Sequence, residues 1–144
     1  MRSILALVAL AVPATLVAED KKADTDLKAM VGKYGVQKAE LGGKDLTEPL
    51  QVLKFEVAEG GKYTASHGEM IDAGSFTVDP TRTPNEMDVK PTGGPLKGKL
   101  VKAIYKLDGD VLTICYDHTG GDRPTKFESK PDTTVLLVSY KRAK

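Results

Sequence analysis

From residue 32 onward the apolar residues of this chain recur at every second position. In LQVLKFEVAEGGKYTAS, Leu53, Phe55 and Val57 fall on one side of an extended chain. Gly60-Gly61 supplies a turn, and Tyr63 and Ala65 return on the same side, which predicts a hairpin. The same alternation runs through Tyr34 and Val36 before Gly42-Gly43. Phe76 and Val78 precede the turn from Pro80 to Pro84, and Met87 and Val89 follow it. It is most regular in GKLVKAIYKLDGDVLTICYD, where Val101, Ala103, Tyr105 and Leu107 share a face, Asp108-Gly109 makes a tight turn, and Leu112, Ile114 and Tyr116 come back. A short TKFES strand and then Leu136, Val138 and Tyr140 complete the series. Helical spacing occurs only before this, where Asp26 can cap a turn carrying Leu27, Met30 and Val31 that ends at Gly32.

About eight or nine short strands with turns between them predict an all-β fold, and closure into a barrel removes the exposed edges that an open sheet would have to protect. The spacing is that of an antiparallel barrel or sandwich, preceded by a short N-terminal helix. A chain of 144 residues fits one such domain.

The first residues read differently. MRSILALVALAVPATLVAED has a basic Arg2, an apolar run from Ile4 to about Val12, small residues, and an abrupt polar start at Glu19. This is the layout of a secretory signal peptide over residues 1–18, with cleavage after Ala14 or Ala18, and the run is too short for an ordinary membrane span. It predicts an exported protein, periplasmic or extracellular, with no integral membrane span in the mature chain. Cys115 is the only cysteine, so no disulfide can form within the chain and the fold rests on its apolar core.

The formal charge is +1, from 21 basic against 20 acidic residues, and losing Arg2 with the leader brings it to zero. Nucleic-acid binding is not expected from such a balance, because it depends on cations that displace counterions from phosphates. No phosphate-binding glycine loop and no nucleophile elbow are present. Gly93-Gly94-Pro95 and Gly120-Gly121 read as turns.

Reactive groups concentrate in LDGDVLTICYDHTGGDRPTKF, residues 107–127. Cys115, Asp117 and His118 are ligand types for zinc or copper, yet one cysteine and one histidine lack the paired spacing of a structural metal site. Cys115 and His118, three residues apart near a strand end, point in different directions and make a poor thiol dyad. Cys115 is also out of phase with Leu112, Ile114 and Tyr116, as expected of a half-buried packing residue. The carboxylates Glu56, Glu69, Asp72, Glu86 and Asp88 read as the solvent face of alternating strands. Arg123 can bind a ligand carboxylate or hold its own loop through Asp117 or Asp122, and the second role is favoured. No catalytic residue, cofactor or metal is expected, and no enzymatic activity.

Several blocks carry a likeness. DPTRTPNEMDV, YKLDGDVLTIC and RPTKFES, in the order they take within residues 26–142, resemble a planctomycete family of small secreted lipocalin-like domains. The resemblance implies a single antiparallel lipocalin-like β-barrel of about eight strands with a short N-terminal helix, over residues 26–142, and carries over no activity. Gly32-Lys33-Tyr34 is similar to the Gly-x-Trp that opens many lipocalin barrels, with Tyr34 in place of tryptophan. It implies a cation from the last strand, Lys141 or Arg142, against that ring.

The functional expectation is an exported barrel that binds a small apolar molecule in its interior or mouth, lined by Tyr34, Phe55, Tyr63, Phe76, Tyr105, Leu112, Tyr116 and Leu136. The alternative is a structural or protein-interaction domain of the cell envelope with a packed barrel, whose partner is an envelope protein. A metal or thiol site around residues 115–123 ranks third.

Overall fold

The period-two stretches form nine strands in the computed structural model, which describes residues 14–144, with side chains from residue 21 onward. They are β1 (Gly32–Leu41), β2 (Lys44–Asp45), β3 (Lys54–Ala58), β4 (Lys62–His67), β5 (Met70–Asp79), β6 (Asn85–Pro91), β7 (Val101–Asp108), β8 (Val111–Asp117) and β9 (Val135–Arg142). Helices are α1 (Ala14–Met30) and the single turn α2 (Thr47–Leu50). Every pairing is antiparallel, β3 to β9 each pair with the next in sequence, and β9 returns to β1. With β2 attached only to β1, the result is a closed barrel of eight strands. The expected all-β barrel with an N-terminal helix is therefore what forms.

Alternation fills the interior. Tyr34, Phe55, Val57, Tyr63, Phe76, Met87, Ala103, Tyr105, Leu112, Ile114, Val138 and Tyr140 are buried in one cluster, and a rank of partly buried side chains packs against it. Each large apolar side chain so buried contributes about 1.5–3 kcal/mol relative to exposure. Within β1 the register shifts between Val36 and Lys38, so that the buried positions pass from Tyr34 and Val36 to Ala39. A β-bulge of this kind bends the strand so that it can serve both β3 and β9.

Three local expectations are altered. Asp26 does not cap α1, which begins at Ala14; it lies within the helix and accepts a hydrogen bond from the Tyr105 hydroxyl at 2.6 Å. The β7–β8 turn is centred on Gly109-Asp110, because Asp108 pairs with Val111. Gly109 there has a φ of 58°, the left-handed value that the first of two hairpin residues needs. TKFES forms no strand, since in a closed barrel no free edge remains for it, and it lies in a loop over the outer wall. Of the expected leader, residues 1–13 lie outside the described residues. Among the described residues no helix is long and apolar enough to cross a membrane.

Helix α1 and the far rim define two different ends. Met30 is fully buried and Leu27 packs on the core, so α1 stops the end where β1 starts and β9 finishes. There Tyr34 donates to the Met30 carbonyl at 2.7 Å, and Arg142 donates to the Tyr34 hydroxyl at 2.8 Å and to the Ala29 carbonyl. The Arg142 guanidinium stands 5.4 Å from the centre of the Tyr34 ring, so the cation the resemblance implied is Arg142.

Candidate functional site

The opposite end, where β4 turns into β5 and β6 leads toward β7, holds a partly open cavity of about 90 Å³. Its inner wall is aromatic: Phe55 stacks on Tyr140 at 4.5 Å between ring centres and lies 6.0 Å from Tyr63, which in turn is 6.3 Å from Phe76. Met87, Val89 and Ile114 complete the depth, and Pro91, Leu96 and Val101 line the side toward the loop between β6 and β7. Tyr116, Ala65 and Asp72 fill the remaining positions. Strand alternation explains all of these but Leu96, which comes from the loop between β6 and β7, since positions two apart share a face of a pleated strand.

Asp72 is the unexpected member. It shares its face of β5 with Gly74 and the buried Phe76, and it pairs across the ladder with Ala65, which also lines the cavity. Its Oδ1 is buried and has no hydrogen-bond partner among the described residues. The loop over it passes very close: a Cβ at Gly94 would stand 2.9 Å from the Asp72 Cγ, and Gly94 has a φ of 79°. Glycine is thus required on two counts for this loop to roof the carboxylate. Burial lifts the Asp72 carboxyl above its ordinary range, against a smaller opposing effect of the Ala73 backbone hydrogen bond. Burial also raises Tyr63, Tyr140 and Tyr116, the last to about 12, and the Asp72 charge adds to the shift of all three phenols.

Of the eight side chains expected to line a ligand site, Phe55, Tyr63, Phe76 and Tyr116 line this cavity. Tyr34 and Tyr105 point inward at the helix end, where their hydroxyls are taken up by Met30 and Asp26. Leu112 is fully buried in the packed core, and Leu136 packs on the core without reaching the cavity. Asp72 was missed because its charge suggested a solvent face, although its phase with Phe76 placed it inside. Tyr140, which alternation placed in the core, forms part of the wall.

The reactive stretch at residues 107–127 resolves differently. Cys115 faces outward from the barrel yet is fully buried, because residues 118–134 lie across the wall and bring the carbonyls of Lys126 and Glu128 within 3.7 and 3.8 Å of its sulfur. Burial pushes the thiol up to about 11, away from the thiolate a nucleophile or metal ligand requires. Asp117 Oδ1 accepts from the Thr119 amide and hydroxyl and from the Thr134 hydroxyl. Burial works against these bonds but is outweighed, and the Asp117 carboxyl sits below its ordinary range. His118 is exposed. No group of three or more histidine, cysteine or acidic side chains suited to a metal occurs among the described residues.

Arg123 holds this loop down, through partners other than Asp117 or Asp122. It donates to the carbonyls of Met87 and Ala103 at 3.1 and 2.8 Å and to Asp88 at 2.5 Å, with Glu86 at 3.6 Å. Ser129 adds a second tie, donating to the Val135 carbonyl at 2.7 Å. A groove beside Phe127 on the outer wall has a volume of about 200 Å³, but its charges are already matched: Lys38 pairs with Glu40 at 3.2 Å and Lys106 lies 4.9 Å from the Phe127 ring centre. The barrel cavity is the better candidate, because its largely apolar wall includes a carboxylate whose Oδ1 has no partner among the described residues.

Compared with protein-family models, with curated proteins and with solved structures, the chain has no significant match.

Proposed function

We propose that the chain is an exported, non-enzymatic barrel that takes up a small, mostly apolar molecule at the end opposite α1. The observation that carries this reading is the cavity walled by Phe55, Tyr63, Phe76 and Tyr140 in a barrel whose other end is stopped by a helix. Pockets for drug-sized ligands run to about 300–1,000 Å³, so a cavity of about 90 Å³ suits a compact molecule, a short branched chain or a single small ring. The signal-peptide layout of residues 1–18 supports export. Membership of the planctomycete family of secreted lipocalin-like domains belongs to the same reading, supported by the closed barrel and by the cation across Tyr34.

A second reading, an envelope platform that docks a protein, is favoured by the exposed Met70 and Ile71 at the β4–β5 turn and by exposed Leu100 before β7. Native mass spectrometry of protein purified from its source separates the two. A retained mass of a small molecule is expected. A bare chain, together with no change in the amide spectrum on adding small branched alcohols or single-ring aromatics, overturns the binding reading, and a retained protein mass favours the second.

A further inference from the structure

We propose that Asp72 is the counter-ion for a small primary ammonium, whose short apolar body lies against the aromatic wall of the cavity. This rests on the reading of the barrel as a small-molecule binder and names the class of ligand.

A carboxylate oxygen buried without a partner costs about 1–3 kcal/mol or more, and such groups in folded proteins call for an explanation. Other acidic side chains near this core have one. Asp26 receives the Tyr105 hydroxyl, Asp88 and Glu86 face Arg123, and Asp117 is held by Thr119 and Thr134. Asp72 has no counterpart: its Oδ1 is the only buried carboxylate oxygen left unpaired among the described residues, and no Lys, Arg or His is among those lining the cavity. The loop at Gly94 closes over the Asp72 carboxylate, and Asp72 is also among the residues that line the cavity.

What can fill the cavity follows from chemistry. The ligand must bring an N–H or O–H donor to the carboxylate, and a positive charge to balance it. A primary ammonium has three donors, enough for Asp72 and for the phenolic oxygens of Tyr63 and Tyr116, which line the same cavity. Aromatic faces attract cations, and five aromatic residues line this cavity. A carboxylate ligand would meet an unbalanced like charge. A quaternary ammonium has no N–H to give the oxygen.

The test uses isobutylammonium, isobutanol and isobutyrate, three probes of nearly one shape and different charge, titrated into the full-length protein at neutral pH while amide shifts of the cavity residues are followed. The ammonium is expected to bind at least about tenfold more tightly than the alcohol, the scale of one charge-assisted hydrogen bond, and isobutyrate to leave the shifts unchanged. Asp72→Asn, which keeps nearly the same shape without the charge, is expected to remove the preference for the ammonium over the alcohol. Equal binding of alcohol and ammonium to the wild type overturns the counter-ion and leaves the small-molecule reading standing. No shift with any of the three overturns both. The wild-type comparison decides the matter even if the variant does not fold.

Discussion

At the helix end of the barrel the polar side chains bond to one another and to the backbone. Tyr34 gives its proton to Met30 and receives one from Arg142, Tyr105 meets Asp26, and Arg142 also reaches Ala29 and stands 3.7 Å from Asp110. Arg142 Nε is the one buried polar atom there without a partner among the described residues. At the other end the same strands present Asp72 with an unpaired oxygen, with Tyr63, Tyr116 and Tyr140 around a cavity and exposed Met70 and Ile71 nearby. The difference lies in what surrounds the unpaired atom at each end: Arg142 is otherwise held by Tyr34, Ala29 and Asp110, whereas Asp72 lines a cavity with no cation in its wall.

The most severe way to break this contrast is at the stopper. Tyr34→Ala removes a buried ring and both of its hydrogen bonds, and is expected to cost about 3–5 kcal/mol in urea unfolding. A loss below about 1 kcal/mol would mean that α1 does not hold that end. Next comes the loop over the wall: Arg123→Gln leaves Asp88 and Glu86 without their cation and is expected to cost about 1–3 kcal/mol. The sharper readout is Cys115, which should react slowly with a thiol reagent in the wild type and many times faster in the variant.

The open end should respond with the opposite sign. Asp72→Asn removes a desolvated charge and is expected to raise stability by about 1 kcal/mol at neutral pH. Because burial raises the folded-state pKa of Asp72 above its ordinary 3.8, the wild type carries its full penalty above that raised value. The penalty shrinks as the pH falls from there toward 3.8, so the advantage of the variant should fade over the same interval. A constant advantage across that interval would show that the gain comes from shape and not from charge. The smallest effect is expected at the rim, where Met70→Ser, at a side chain 67% exposed, should change stability by no more than about 0.5 kcal/mol. A much larger loss would assign this rim a structural role like that of the stopper.

Much of this was legible in the order of residues. Strands with two-residue alternation between glycine turns leave few alternatives, because a slip of one position would turn Phe55, Val57 and Tyr63 outward together. Asp72 was legible by phase and hidden by chemistry, since a carboxylate two positions from Gly74 and four from Phe76 looks like a solvent residue until the strand is laid in a closed wall. Residues 118–134 were the least legible. TKFES has the composition of a strand, but its position depends on Arg123 finding acceptors on β6 and β7, more than fifteen positions away, and no local pattern encodes such a contact. The bulge in β1 was invisible for a related reason: it is fixed by the two strands, β3 and β9, that β1 serves.

The seam between the first and last barrel strands carries a consequence for the order of events in folding. Tyr34 and Arg142 are 108 positions apart, yet they share a rung of the ladder and a hydrogen bond. Until β9 has left the ribosome, β1 and β8 each keep an open edge, and the interior faces solvent along the gap between them. Local hairpins can form early, but closure must wait for β9 and is slowed by the long chain segment it has to loop. Until β9 docks, the barrel is a sticky open sheet, and this eight-residue strand seals the gap between β1 and β8.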